Sequence, residues 1–140
     1  MRHQKTKQLF VFLIIFSFII AALPAMAGEF GDLKVKIVEA RDSLVTMLKN
    51  KDKRGVDQQK LVKDTANAVS TMLANIKAPA GKDTKLKELV VTWNAFKKSR
   101  EAELVPMILE GKQADAEKLA SGVQKERFQK VISLVDDLGK

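Results

Sequence analysis

The sequence predicts an all-α protein, an antiparallel up-down-up-down four-helix bundle that follows an N-terminal signal segment. Three observations support this fold class. Apolar residues after Gly31 recur at alternating steps of three and four residues, which is the spacing of one face of a helix. Short turn signals divide this part of the chain into four segments, and short turns are typical of antiparallel neighbours in a bundle. No segment alternates with the period of two that a strand requires.

Residues 1–27 have the parts of a secretory signal peptide. A basic start precedes the apolar run Leu9–Leu23, and the small residues of Ala25–Ala27 suit cleavage before Gly28. The run of about 15 residues is short for a membrane-spanning helix, which needs roughly 20. We therefore expect an exported protein, periplasmic or secreted. The alternative is an uncleaved inner-membrane anchor that faces the periplasm, and it is the only membrane contact expected.

The first two helices are predicted for residues 32–50 and 57–77. Asp32 is placed to cap the first, and the polar stretch 51–55 separates the two as a turn that ends in glycine. Proline and glycine within residues 78–82 end the second helix. The inner stripe of the first helix is Leu33, Ile37, Ala40, Leu44 and Met47. The inner stripe of the second is Val62, Thr65, Val69, Met72 and Ile76.

The third and fourth helices are predicted for residues 84–110 and 114–138. Gly111 has the position of a left-handed helix end. Pro106 lies inside the third helix, where it removes one amide donor, and we expect a kink rather than a break. The inner stripe of the third helix is Leu86, Leu89, Trp93, Phe96, Leu104 and Met107. The inner stripe of the fourth is Ala116, Leu119, Ala120, Val123, Phe128, Val131, Val135 and Leu138.

Composition excludes several kinds of chemistry. The chain has no cysteine and no tyrosine, and its one histidine, His3, lies in the predicted signal. Cysteine and histidine zinc sites, cysteine nucleophiles, Ser-His-Asp catalysis and c-type haem attachment are therefore not available to residues 28–140. No other pairing of side chains has a spacing that indicates catalysis. We predict no enzyme activity, no cofactor and no metal site.

The charge is basic but interleaved. The full chain carries a formal net charge of +8, and residues 28–140 retain 22 basic against 17 acidic residues. Because both signs occur on every predicted helix, a solvated surface is the simplest interpretation. Binding of an acidic partner or of anionic lipid headgroups is the alternative. Nucleic acid is not an expected partner, because no aromatic residues cluster with the basic ones.

Three residues are candidates for ligand contact. Arg100 falls on the inner stripe, where a guanidinium must find a partner, reach solvent or clamp a carboxylate ligand. Arg127, beside Phe128, raises the same question and is another candidate. Arg41, beside Ala40, raises it as well. Trp93 is the second, because an aromatic wall can line a small-molecule pocket, although a plain core position is the common alternative.

The stretch Trp93-Asn94-Ala95-Phe96, together with Ile108-Leu109-Glu110-Gly111-Lys112 and Ala114-Asp115-Ala116, resembles part of a known sensor domain. The family is the four-helix-bundle ligand-binding domain of methyl-accepting chemotaxis receptors. The resemblance implies a periplasmic helical module that senses small ligands and dimerises. The 140 residues contain no second spanning helix and no signalling region, so we expect a stand-alone exported module. The b-type four-helix cytochromes share the layout, but their haem-ligating histidine has no counterpart here.

Two functions follow as hypotheses. The first is a non-catalytic module that binds or senses a small-molecule ligand, or a partner such as a membrane sensor protein. Such a module could also form a homodimer. The second is a structural or stress-related helical protein that acts like a chaperone through an amphipathic surface.

Overall fold

A computed structural model describes residues 28–140, and the predicted signal segment lies outside them. Within this range the chain is helical and forms no strand, as the sequence predicts. Four helical rods follow one another. The first is α1 (Glu29–Lys49) and the second is α2 (Val56–Asn75). The helix α1 begins at Glu29, so Asp32 lies in its first turn and makes no capping hydrogen bond, contrary to the prediction.

The third rod runs continuously through Pro106. It consists of α3 (Asp83–Ser99), a π-helix (Arg100–Leu104) and α4 (Val105–Leu109). Because Pro106 has no amide hydrogen, the ladder of α-helical hydrogen bonds cannot continue unchanged at this position. The amide of Val105 instead donates to the carbonyl of Arg100, a step of five residues. The rod is therefore not broken at the proline, and the wider turn lies where the sequence predicts a kink.

The fourth rod is divided at Gly122. Its parts are α5 (Gln113–Ser121) and α6 (Val123–Leu138). Gly122 has φ −99° and ψ −110°, outside helical values, although its amide donates to the carbonyl of Lys118 and its carbonyl accepts from the amide of Glu126. Beyond it Val123 is 44% exposed, whereas Gln124 is buried at 3%. The prediction that Val123 belongs to the inner stripe is wrong, because the helical step of four residues from Ala120 leads to Gln124.

Two apolar clusters form the core, and most predicted stripe residues belong to them. The larger cluster contains Trp93 and Phe96 from α3, packed on α1, α2 and α6. The smaller contains Leu104 and Ile108, packed on the ends of α1 and α2 and on α5. All five predicted stripe residues of α1 are buried. The predicted left-handed end at Gly111 is confirmed by its φ of 75°.

A buried polar layer lies between these clusters. Its members are the buried Ser43 on α1 and Arg100 on the third rod, together with the half-buried Thr65 on α2. The hydroxyls of Ser43 and Thr65 lie 3.1 Å apart. Arg100 is the only charged side chain among the fully buried ones in residues 28–140. This layer interrupts the apolar core. Its polar groups form hydrogen bonds to one another and to helix carbonyls, and these bonds offset the cost of burying them.

No helix within residues 28–140 combines the length and the apolar character needed to cross a membrane.

Candidate functional site

A groove lies between α1 and the fourth rod. It has a volume of about 590 Å³, within the range that small-molecule sites occupy. The groove follows α1 from Arg41 to Lys49 and follows the fourth rod from Glu117 to Gln129. Two side chains of the third rod, Phe96 and Leu104, form its floor. Its apolar lining residues are Leu44, Val45, Leu48, Phe96, Leu104, Ala120 and Phe128.

One buried polar side chain that lines the groove, Gln124, has a hydrogen-bonding atom without a partner. Gln124 donates from Nε2 to the carbonyl oxygen of Phe96 at 3.4 Å. Its Oε1 is buried and has no hydrogen-bond partner within residues 28–140. A buried acceptor left unpaired costs free energy, so this oxygen is suited to accept a hydrogen bond from a bound molecule or an ordered water.

Basic side chains surround the groove. Arg41, Lys49 and Lys125 line it, and Glu117 is its single acidic lining residue. The Arg41 guanidinium lies over the ring of Phe128, with its central carbon 5.3 Å from the ring centroid. Within the described residues Lys49 and Lys125 form no ion pair, whereas Arg41 Nη1 pairs with Oδ1 of the exposed Asp42 at 3.2 Å. The surroundings of the groove are therefore positive, which favours an anionic group in a bound molecule.

Arg100, a predicted ligand contact, lies behind the groove floor and does not line it. Its Nη1 donates to the carbonyl of Ala40 and its Nη2 to that of Val62, each at 2.7 Å. Nη2 also lies 3.5 Å from the Ser43 hydroxyl, while Nε has no partner among the described residues. Burial lowers the pKa of Arg100 to about 10, against a smaller raising effect of Glu101, so the guanidinium remains charged at neutral pH.

Trp93, the second predicted contact, lies in the larger core cluster. Its side chain is fully buried, and its Nε1 donates to the Ser70 hydroxyl on α2 at 3.0 Å. Its ring is tilted against Phe96 at a centroid distance of 5.5 Å, and Phe96 contacts Phe128 in turn at 6.2 Å. Trp93 therefore supports the groove through Phe96 rather than lining it.

Arg127, the third predicted contact, lies on the α3 side of α6. Its Nη1 donates to the hydroxyl of Ser99 and lies 3.5 Å from the carbonyl of Ala95. These bonds join α6 to α3. Arg127 does not line the groove, so the structure does not bring the three predicted residues together in one cavity.

The residues that do line the groove were mostly missed from the sequence. Arg41 was considered because it neighbours Ala40, but Gln124 and Lys125 were not. Both follow helical spacing, because Gln124 lies four residues before Phe128 and Lys125 is its neighbour on the same helix. A search for apolar stripes passes over them because neither side chain is apolar.

Residues 28–140 contain no group of three or more aspartate, glutamate, histidine or cysteine side chains placed to hold a metal ion. In comparisons with known proteins, no family model matches this chain, and no significant match was found to a curated protein or to a solved structure.

Proposed function

We propose that this chain is an exported, non-catalytic helical-bundle module that binds a small ligand in the groove between α1 and the fourth rod. The observation that carries the proposal is the groove of about 590 Å³ with an apolar lining, basic surroundings and one buried acceptor, Gln124 Oε1, without a partner. A mostly apolar cavity with few polar groups is the usual form of a small-molecule site.

We also infer an up-down-up-down connection of the four rods. At one end Arg54, in the turn after α1, donates to the carbonyl of Ile108 at 3.2 Å and to Gln113 Oε1 at 2.7 Å. At the other end Lys82, in the turn before α3, donates to the carbonyl of Asp137 at 2.7 Å. An antiparallel bundle places the first and third turns at one end, and the second turn with the chain terminus at the other.

Export remains part of the proposal because of the signal-like residues 1–27. A periplasmic module that binds a small molecule can act by presenting its loaded form to a membrane sensor protein, and the resemblance to chemoreceptor sensor domains favours this role. The same resemblance to chemoreceptor sensor domains implies a homodimer.

The proposal is tested by thermal unfolding of the protein recovered after expression of the full chain, against a panel of small molecules. A ligand that binds only the folded state raises the melting temperature, by an amount equivalent to about 2.7 kcal/mol at a concentration of 100 Kd. A saturable rise that is lost in an Ala120→Phe variant, whose ring would fill the groove, supports the proposal. If no compound stabilises the protein while the protein suppresses aggregation of an unfolded client, the chaperone-like alternative replaces it.

A further inference from the structure

The charges of the groove are not evenly distributed along it. Glu117 accepts a hydrogen bond from Gln113 Nε2 at 2.8 Å, and the same nitrogen lies 3.1 Å from the carbonyl of Leu48. Glu117 therefore lies at the Lys49 end, where it offsets that lysine. The opposite end contains Arg41, beside Phe128, and Lys125, one turn before Phe128 on α6. Among the described residues, Lys125 forms no ion pair, and Arg41 makes one hydrogen bond to a carboxylate, from Nη1 to Oδ1 of the exposed Asp42 at 3.2 Å, so its other guanidinium nitrogens can still donate to an anion.

Arg100 adds positive charge behind the floor at the same level. It lies between Phe96 and Leu104, which are the two floor residues, and its guanidinium bonds only to uncharged groups within residues 28–140. A buried charge that is not neutralised by a carboxylate contributes to the potential in a nearby low-dielectric cavity. The Arg41 end of the groove is therefore the place where an anion is most stabilised.

The remainder of the groove is apolar and elongated. From Arg41 to Leu48 the α1 wall spans seven residues, or roughly 10 Å at the helical rise. Leu44, Phe96, Leu104 and Ala120 lie along it. This length and lining suit an unbranched apolar chain of medium length, whose burial would supply the main favourable contribution to binding.

We propose that the ligand is an amphipathic monocarboxylate, with its carboxylate between Arg41 and Lys125 and its acyl chain along the groove toward Leu48. The proposal rests on the proposed function and specifies its ligand class. Gln124 gives a further preference, because its unpartnered Oε1 can accept a hydrogen bond from a hydroxyl on that chain. A hydroxylated acyl chain is thus the best complement to this site.

Calorimetric titration with decanoate, β-hydroxydecanoate, decanol and decylamine tests the proposal on the protein recovered from full-chain expression. Decanoate should bind more tightly than decanol, decylamine should bind least, and the affinity for decanoate should fall with added salt. The hydroxylated acid should bind more tightly than decanoate, and Gln124→Leu should abolish that difference. Equal binding of decylamine and decanoate would overturn the assignment of an anionic ligand.

Two charge variants locate the carboxylate. Arg41→Gln should weaken decanoate binding about threefold to tenfold while leaving decanol unaffected. Lys63→Gln, the same charge change at an exposed position of α2 outside the groove, is the matched control and should change affinity less than about twofold. Equal effects of the two variants would show that only the net charge of the protein matters and would contradict the proposed position.

The Ala120→Phe variant separates this inference from the proposed function. Its fold is checked first by circular dichroism and thermal melting. If decanoate fails to bind but another compound stabilises the wild type and not Ala120→Phe, the groove is a binding site and the carboxylate assignment is wrong. If decanoate binds Ala120→Phe as tightly as the wild type, the ligand is not in the groove, and this inference fails regardless of the panel.

Discussion

The guanidinium of Arg100 donates a 2.7 Å hydrogen bond to the carbonyl oxygen of Val62 and so joins the third rod to α2 inside the bundle. A second bond of equal length joins Arg100 to Ala40 on α1. One side chain thus links three rods between the two apolar clusters. Within residues 28–140 its charge is balanced by peptide dipoles and hydroxyls rather than by a carboxylate, which makes its burial costly.

Arg100 is therefore expected to contribute more through its volume than through its charge. Arg100→Met keeps most of the side-chain volume and removes a desolvated charge, so the free energy of unfolding should change by less than about 1.5 kcal/mol. Arg100→Ala leaves a cavity and should cost about 2–5 kcal/mol. Urea unfolding of both variants measures the two values. A loss with methionine as large as that with alanine would show that the charged hydrogen bonds stabilise the bundle.

The same residue predicts a pH dependence. Because burial lowers the pKa of Arg100 to about 10, below the ordinary value of an arginine, the folded chain loses this proton before the unfolded chain does. Stability then rises with pH wherever the unfolded state binds more protons. The stability of the wild type relative to Arg100→Met should therefore increase as the pH passes through about 10. Unfolding measured from pH 8 to 11 tests this, and a constant difference over that range would contradict it.

Trp93 and Ser70 form a buried pair that can be tested without removing the large side chain. Ser70→Ala leaves the indole N–H without its partner at 3.0 Å and should destabilise by about 1–3 kcal/mol. Thr71→Ala, which removes an exposed hydroxyl one residue later, is the control and should have little effect. Trp93 fluorescence should be blue-shifted and protected from quenchers in the wild type. Red-shifted emission that is open to quenching would place the indole in contact with water.

Two glycines allow a matched comparison at turns. Gly111 has φ 75° and nothing within 4 Å of an added Cβ, so Gly111→Ala should cost about 1–2 kcal/mol through backbone conformation alone. Gly55 also has open space but an ordinary negative φ, so Gly55→Ala should change stability by less than about 0.5 kcal/mol. Thermal unfolding of the two variants measures these changes in stability. Equal losses of stability would show that Gly111 does not need its left-handed conformation.

Export predicts a specific mass. Protein recovered after expression of the full chain should lack residues 1–27 and begin at Gly28, because the small residues Ala25 and Ala27 lie three positions and one position before the expected cleavage point. Intact mass spectrometry of the recovered protein measures this. A full-length mass in a membrane fraction would instead support the uncleaved anchor, and a full-length mass in the cytosol would contradict export.

The helical periodicity predicted most of the fold. The five stripe residues of α1 are all buried, and the left-handed end at Gly111 lies where expected. Such features depend on local spacing and on glycine, which the sequence displays directly. The cap predicted for Asp32 is wrong because α1 begins one turn earlier, and exact helix ends depend on backbone contacts that a pattern does not encode.

The candidate site was harder to predict because its polar lining residues do not stand out in an apolar pattern. The π-helix at Arg100–Leu104 and the division at Gly122 are also local interruptions of regular helix. Arg100 was singled out correctly as a charge on an inner face, but its partners are backbone carbonyls, which no residue pattern identifies. Gln124 lies four residues after Ala120 and four before Phe128 and so shares their face, but a search for apolar residues selects Val123 instead.

A ligand bound between α1 and the fourth rod should change the amide chemical shifts of the residues that line the groove. Titration of the isotopically labelled protein with decanoate measures these shifts residue by residue. We predict saturable shifts concentrated in residues 41–49 of α1 and 117–129 of the fourth rod, with the exposed face of α2 unchanged. Shifts that do not saturate, or that map to α2 and leave these two stretches unaffected, would contradict a ligand site in this groove.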